Sequence, residues 1–436
     1  MDKKLNFWDC MGFCIGQIIG SGIMVLTGIV VGLTGHGTPL AFILAACLAI
    51  TTMIPFTFLA STLPTNGAGY NYIRRLIGEK CGFFYLCSFV LTQVLIATYA
   101  KGFASYFVAI FPTFNETVVA MVALTIAVVV NLIGLKTSAV VQKIMVVFLL
   151  LSLAIFIGFG LPQVDWSILE LSRANIMPNG TKSFLVGVAL LSFATSGAKF
   201  VAENGDEIEN PQKNIPKAMI CSTLLVAAFY ALIGIVASGV LPVQEVAYQN
   251  LTIVAKRIFP PAVYIFFVVG GAMFALMTTL NGTLSWVTRG LQSAAKEGWL
   301  PEIFAKENKG GAPVILLGVF YVVGALPIVT GMSIEIIANI GIGLDMLTEF
   351  AILIACFRLP KLFPEEYKKS AFYVKPQILH CILIVVGIFM LGSSYVNLSD
   401  LTGPMYLQIL IYLVFVYILT QVRYKYFLAK KNEVKA

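Results

Sequence analysis

From Cys10 to Ile73 the chain contains no Asp, Glu, Lys or Arg. A soluble domain needs charged and polar residues on its watery face, so a run of this length excludes one. It is long enough to cross a ~30 Å hydrocarbon layer twice at about 20 residues per crossing. The remainder continues in kind: of 436 residues 59% are hydrophobic and 11% charged, with a mean hydropathy of +0.91. Lipid offers no partner to free backbone groups, which leaves helices as the spanning element for such a chain. The expectation is an all-α membrane protein. Its apolar stretches are separated by Pro, Gly or charge clusters and number twelve, centred near Gly20, Thr51, Gln93, Val128, Leu149, Ala194, Ala227, Met277, Val322, Asp345, Val386 and Phe415.

The basic residues orient these spans. Lys3 and Lys4, Arg74, Arg75 and Lys80, Lys136 and Lys143, Lys213 and Lys217, and the stretch from Arg289 to Lys309 fall on one side together with Arg358 to Lys375 and the C-terminal tail. The other side holds Arg173, Lys182, Lys256 and Arg257. By the positive-inside rule both termini are cytoplasmic, and the protein sits in the cell (plasma) membrane as a multi-pass chain. The net charge of +8 is anchoring charge, so no nucleic-acid partner is implied. The first span runs on past Leu33 without a cleavage-site pattern, which argues against a signal peptide. Eight cysteines lie in spans or on the cytoplasmic side, where they read as small packing residues, and no His accompanies Cys10 and Cys14 to make a metal site.

Within the first span stands GQIIGSGIMVLTG, Gly16 to Gly28. Each glycine costs about 1 kcal/mol in a helix interior. Gly16 and Gly20 at a spacing of four could serve close helix packing. A second weak point, Thr195-Ser196-Gly197-Ala198, lies at the centre of the sixth span. Interrupted spans at corresponding positions of two halves point to an inverted-repeat transporter, with helix N-termini facing an anionic group and exposed carbonyls a cationic one. A zwitterion fits that pair of ends. The implied architecture is a 5+5 inverted repeat with discontinuous helices 1 and 6: residues 7–160 form one repeat, 182–357 the second, and 373–428 two additional helices, all in a single transmembrane domain over 1–436.

The sequence resembles the amino acid/polyamine/organocation superfamily of transporters, and within it the L-type and bacterial amino acid permeases and exchangers. The resemblance rests on IIGSGIMVLTG, NGAGYNYIRRLIGEKCGF, SFATSGAKFVAENGDEIENPQKNIPKAM and NGTLSWVTRGLQSAAKEGWLPEIFAKENKGGAP. It implies that N–H groups around Ser21, Gly22 and Ile23 receive a substrate carboxylate. Carbonyls near Ile18 and Ile19, and those of Phe193, Ala194 and Ser196 beside Gly197, receive the ammonium, and the Phe193 ring closes over the substrate. Many relatives carry a Lys in the fifth span after a V-Q pair. Here the pair is Val141-Gln142 and the corresponding place, near Leu150, holds no Lys. Na⁺ bound by first-span carbonyls and by Thr278 or Thr279 is one alternative, with H⁺ coupling and plain exchange as others.

Two charges lie deep in spans near the breaks, Lys199 and Asp345, with Glu349 one turn beyond Asp345. A charge at mid-bilayer costs at least ~2.5 kcal/mol, so such groups pair and carry function. Lys199 and Asp345 are expected to face each other across the cavity and to tune selectivity or respond to substrate or proton. Lower-ranked candidates are Lys101, snorkelling outward; Gln93 and Tyr99, lining the pocket; and an acidic cluster, Glu203, Asp206, Glu207 and Glu209, gating against Arg74, Arg75 or Arg289. Small residues Ser21, Ser196 and Ala198 favour a neutral amino acid, while Lys199 leaves an acidic one or, on the same fold, a polyamine as alternatives. GxxxxGK[ST], HExxH and GxSxG are absent, so neither ATP drive nor hydrolysis is implied, and no cofactor is called for. A channel and a non-transporting amino acid sensor are the other readings of this pattern.

Overall fold

The computed structural model describes residues 4–20, 22–169, 172–332, 334–399 and 403–433; Ser21 lies outside them. Among the described residues the chain is helical, and its β-type pairing is confined to two isolated bridges, Leu5 with Ile208 and Asn66 with Asn204. The longer α-helices are α1 (Phe7–Ile18), α2 (Thr27–Thr34), α3 (Thr38–Thr62), α4 (Ala68–Leu76), α5 (Glu79–Thr92), α6 (Leu95–Ile110), α7 (Glu116–Ile133) and α8 (Leu135–Gly160). They continue as α9 (Gly180–Thr195), α10 (Pro211–Gly239), α11 (Phe274–Trp286), α12 (Thr288–Lys296), α13 (Val314–Val329), α14 (Ile334–Leu362), α15 (Pro376–Ser399) and α16 (Gly403–Glu433).

By length and composition, 8 segments of the described chain are apolar enough to cross a membrane, and Val314–Val329 and Pro376–Gly392 are shorter apolar helices. Part of the difference between this tally and the twelve stretches read from sequence is local. Thr27–Thr62 is a single segment in it although it contains both α2 and α3, and α1 stops after 12 residues. Apolar side chains stand bare along the outside, Val118, Val122, Ile126, Val129 and Ile133 on α7 and Ile411, Val414, Phe415 and Ile418 on α16. Water would not tolerate such stripes on a single chain; lipid does.

The helix α1 begins at a capping box, where Asn6 Oδ1 accepts from Asp9 N–H at 3.0 Å and Asp9 Oδ2 accepts from Asn6 N–H at 2.9 Å. Its last rung is Ile19 N–H to Ile15 O at 2.8 Å. At Ile19 ψ swings to 84° and the Gly20 N–H turns back onto Ile18 O at 3.0 Å. The chain resumes as a π-helical turn over Gly22–Leu26 before α2. The sixth span changes at its own weak point: α9 ends at Thr195 and a 3-10 helix runs from Ser196 to Glu203. Thr195 Oγ1 donates towards Leu191 O and Ser192 O at 3.1 and 3.0 Å, taking carbonyls that a continuing α-helix would use.

The two interruptions touch. A Cβ on Gly197 would lie 2.3 Å from Gln17 O, one on Gly22 would lie 2.5 Å from Ala194 Cβ, and one on Gly20 would lie 2.7 Å from Thr279 Oγ1. Packing and interruption, competing explanations for the glycines in the sequence, are therefore both true of the same residues.

Candidate substrate site

Against this contact lies a cavity of about 250 Å³. Ligand pockets run from about 300 to 1,000 Å³, so the space suits a small solute. One wall is the break in the first span, with Gln17, Ile18, Gly20, Gly22 and Leu26; the facing wall is Leu190, Ala194, Ser196, Gly197 and Phe200. Gln93, Thr98, Tyr99, Gly102 and Tyr106 close one flank from the third apolar segment, Thr279, Thr283 and Trp286 of α11 another, and Asp345 enters from α14.

The carbonyls of α1 are partly engaged already. Gly16 O accepts from Thr279 Oγ1 at 3.0 Å, and Ile18 O accepts from both Gly20 N–H and the Tyr230 hydroxyl, at 3.0 and 3.2 Å. Thr278 and Thr279 hydroxyls also back-bond to Ala275 O, at 2.9 and 3.0 Å. Gln17 ties the break to α11: its Nε2 donates to Thr279 O at 2.9 Å, and its Oε1 accepts from Trp286 Nε1 at 3.3 Å and Thr283 Oγ1 at 3.4 Å.

Lys199, only 3% exposed, points from the 3-10 segment to α14. Its ammonium donates to Asp345 Oδ2 at 3.3 Å and to Glu349 Oε1, and it lies 5.1 Å from the Phe200 ring centre. The expected pair is thus a triad in which Glu349 is a full member. Asp345 stands on the cavity wall, while Lys199 and Glu349 stand behind it.

Phe200 and Trp286 stack in parallel, 4.1 Å between centroids and 2° between planes, and form one end of the cavity. Beyond them the acidic loop is stitched to the segment that opens α4. Glu203 Oε1 accepts from Gly69 N–H at 2.9 Å, Asp206 and Asn66 exchange side-chain-to-backbone bonds at 2.9 and 3.0 Å, and Arg289 lies 3.8 Å from Glu207. Leu5 joins the same loop through backbone bonds to Glu207 O and Glu209 N–H, 2.8 and 2.9 Å. Of the basic residues expected to meet this cluster Arg289 does. Arg74 turns instead to Glu297 at 2.6 Å and Glu79 at 3.4 Å, because it ends α4 facing α12 and α5. This end of the molecule, predicted to face the cytoplasm, is tied together by these bonds. On another side Gly102 and Tyr106 also line a second cavity of about 260 Å³, with Asn250, Thr252 and Tyr264.

The sequence profile of amino acid permeases matches residues 5–416. The chain belongs to the amino acid permease family. Among similar proteins of Bacillus subtilis, the branched-chain amino acid permease BcaP is 24% identical over 422 residues, covering 89% of this chain and 88% of its own. The serine/threonine exchanger SteT is 25% identical over 311 residues (69% and 70%), and the methylthioribose transporter 26% over 328 residues (70% and 69%). The family is one of membrane transporters and not of enzymes, and its substrates are small molecules handled within the bilayer.

In this permease Ile18, Gly22, Ala194, Ser196, Gly197 and Asp345 line the cavity, as do Gln93 and Tyr99. Ile19 and Ile23 are fully buried and off the wall, and Lys199 reaches the cavity through Asp345. The side chain of Phe193 lies outside the described residues. Lys101, in the middle of α6, donates to Met332 O. Sequence reasoning missed Gln17, Phe200, Trp286 and Tyr106. Gln17 could have been found as the sole long polar side chain in the uncharged first span, and Trp286 as the residue one helical repeat beyond Thr279 on the same face.

Gln17 carries an expected outcome of its own. Gln17→Leu leaves the Trp286 N–H and the Thr283 hydroxyl without their acceptor, at ~1–3 kcal/mol for each polar group stranded in a buried site. Thermal unfolding of the purified protein should show a lowered midpoint, and an unchanged midpoint would mean that these contacts hold nothing.

Proposed function

We propose that the permease is a secondary transporter of neutral L-amino acids working by alternating access, as an exchanger or an ion-coupled symporter. Its substrate would lie between the breaks of spans 1 and 6, flanked by spans 3, 8 and 10 of a twelve-span, 5+5 inverted-repeat bundle with both termini cytoplasmic. The observation that carries this reading is the cavity whose two facing walls are Gln17 to Leu26 and Leu190 to Phe200, the interrupted stretches themselves. Helix N-termini favour anions, so the carboxylate goes to the N–H groups around Ser21, Gly22 and Ile23. The ammonium goes to the carbonyls near Ile19 and of Phe193, Ala194 and Ser196. Ile18 O, with two donors already, is the weakest candidate of that set.

Neutral side chains are favoured over acidic ones because Lys199, the cation nearest the cavity, is held by two carboxylates and has no charge to offer. The small, mostly apolar wall supports the same choice. Relatives named for branched-chain amino acids and for serine and threonine are consistent with it. The test is counterflow in proteoliposomes. Vesicles preloaded with one unlabelled amino acid should take up its labelled form transiently above equilibrium, for neutral members of a panel of the common amino acids. A protein that binds amino acids in a thermal-shift screen yet shows no counterflow would be a sensor instead.

A further inference from the structure

The triad has an odd charge. One ammonium, Lys199, faces two carboxylates, Asp345 at 3.3 Å and Glu349 in direct contact, in a region where all three side chains are less than one-fifth exposed. Two ionised carboxylates against one cation leave a surplus negative charge beside an apolar cavity, which low-dielectric surroundings penalise.

No other described group cancels it. On its own helix Asp345 meets Thr348, whose hydroxyl lies 3.4 Å from Oδ1. From α6 comes Tyr99, which lines the cavity with Asp345, and from α5 comes Tyr85; neither brings a cation. From the 3-10 segment come Lys199 itself and, further along, Glu203, which serves Gly69 N–H. The α3 helix brings no Asp, Glu, Lys or Arg. Arg74 of α4 is committed to Glu297 and Glu79, and His380 of α15 bonds to Phe357 O at 3.1 Å.

We propose that Asp345 is the coupling site of the permease: it takes one proton from the open side together with the substrate and releases it on the other side. The proposal rests on the transport reading above and adds the ion. A lone pair on the Asp345 carboxylate accepts H⁺ from water in the cavity, forming an O–H bond. Lys199 stays charged against Glu349, and the loaded triad is neutral. Reopening to the opposite face returns that proton to water, and the carrier resets with its surplus charge restored. One proton and one amino acid move together, with no redox change.

Asp345 is the member that takes the proton because it alone of the triad stands on the cavity wall. A proton is favoured over the cationic side chain of a substrate, because an ammonium or guanidinium needs several acceptors. Around Asp345 the wall is mostly apolar, and one of its carboxylate oxygens is already spent on Lys199. Na⁺ would likewise need a shell of oxygens that this corner lacks among the described residues.

The test uses the full-length protein in proteoliposomes with a trapped pH dye and radiolabelled L-leucine, L-serine and L-alanine. In the wild type, substrate added outside should acidify the lumen. An inward proton gradient should drive accumulation by about tenfold per pH unit for one proton per substrate. Glu349→Gln is the decisive variant. Glu349 is off the cavity wall, and the triad becomes a balanced Lys199–Asp345 pair, so proton-driven accumulation, normalised to each protein's own counterflow, is lost. Asp345→Asn should also abolish lumen acidification.

Wild-type counterflow without acidification overturns the proposal and leaves the transport reading standing. No counterflow of any amino acid overturns the transport reading itself. Glu349→Gln that still accumulates substrate to the wild-type ratio overturns the charge argument. Preferred uptake of L-lysine or L-arginine, independent of pH, would assign the surplus charge to the substrate and also overturns the proposal.

Discussion

Gly22→Val is expected to weaken amino acid binding strongly while the protein still inserts and purifies. The Cβ it introduces falls 2.5 Å from Ala194 Cβ and 3.3 Å from Ala194 Cα, across a close contact between the two interrupted segments. Gly22 and Ala194 both line the cavity, so the clash is resolved inside the site by pushing its walls apart or filling it. Overpacking of a close contact costs ~1–3 kcal/mol. That is about five- to 150-fold in binding if the whole effect falls on the bound state. Gly197 sets the comparison. Its added Cβ would meet Gln17 O at 2.3 Å and Gln17 C at 2.5 Å, which are backbone and have nowhere to turn. Even Gly197→Ala is therefore expected to lower the unfolding midpoint, whereas Gly22→Val costs binding first. Ligand-induced thermal shifts read both effects in one experiment: the unliganded midpoint reports the fold and the shift reports the site. A normal shift for Gly22→Val would show that the contact between the breaks does not shape the site.

Much of this was legible from spacing alone. Uncharged runs of membrane length, glycines placed where a helix can least tolerate them, and a matching weak point in the sixth span indicate a helical membrane protein with two interrupted segments side by side. Six of the eleven residues expected at the site lie on the cavity wall. What stayed hidden depends on rotation about helix axes and on contacts between distant segments. Phe200 and Trp286 are 86 residues apart and stack only once the 3-10 turn has rotated Phe200 towards α11. Glu349 ranked below Asp345 because one turn along a helix does not say which carboxylate a lysine from another helix will reach. The Ile18 carbonyl looked open because nothing in the sequence reveals that Tyr230, on α10, donates to it.

Lys199→Ala is expected to have the largest effect on the fold. Removing the ammonium leaves Asp345 and Glu349 one turn apart on α14, both ionisable and neither with a cation among the described residues. Breaking a buried ion pair from one side costs ~3–5 kcal/mol, because the stranded charge keeps its desolvation penalty and loses its partner. The same reasoning predicts rescue. Lys199→Met combined with Asp345→Asn and Glu349→Gln removes all three charges, and a neutral replacement of a buried ion cluster is often no worse than the original. Its unfolding midpoint in detergent should return most of the way to that of the wild type, while proton-driven accumulation stays lost. If Lys199→Ala is as stable as the wild type, water must reach the carboxylates and the triad is no buried cluster. If the triple variant is as unstable as the single one, the lysine matters for its packing against Phe200 and not for its charge. Rescue of the fold without rescue of proton drive would separate the two roles. On the proposal made above, the Lys199 ion pairs hold α14 against the sixth span, and the one unit of imbalance is what proton coupling uses.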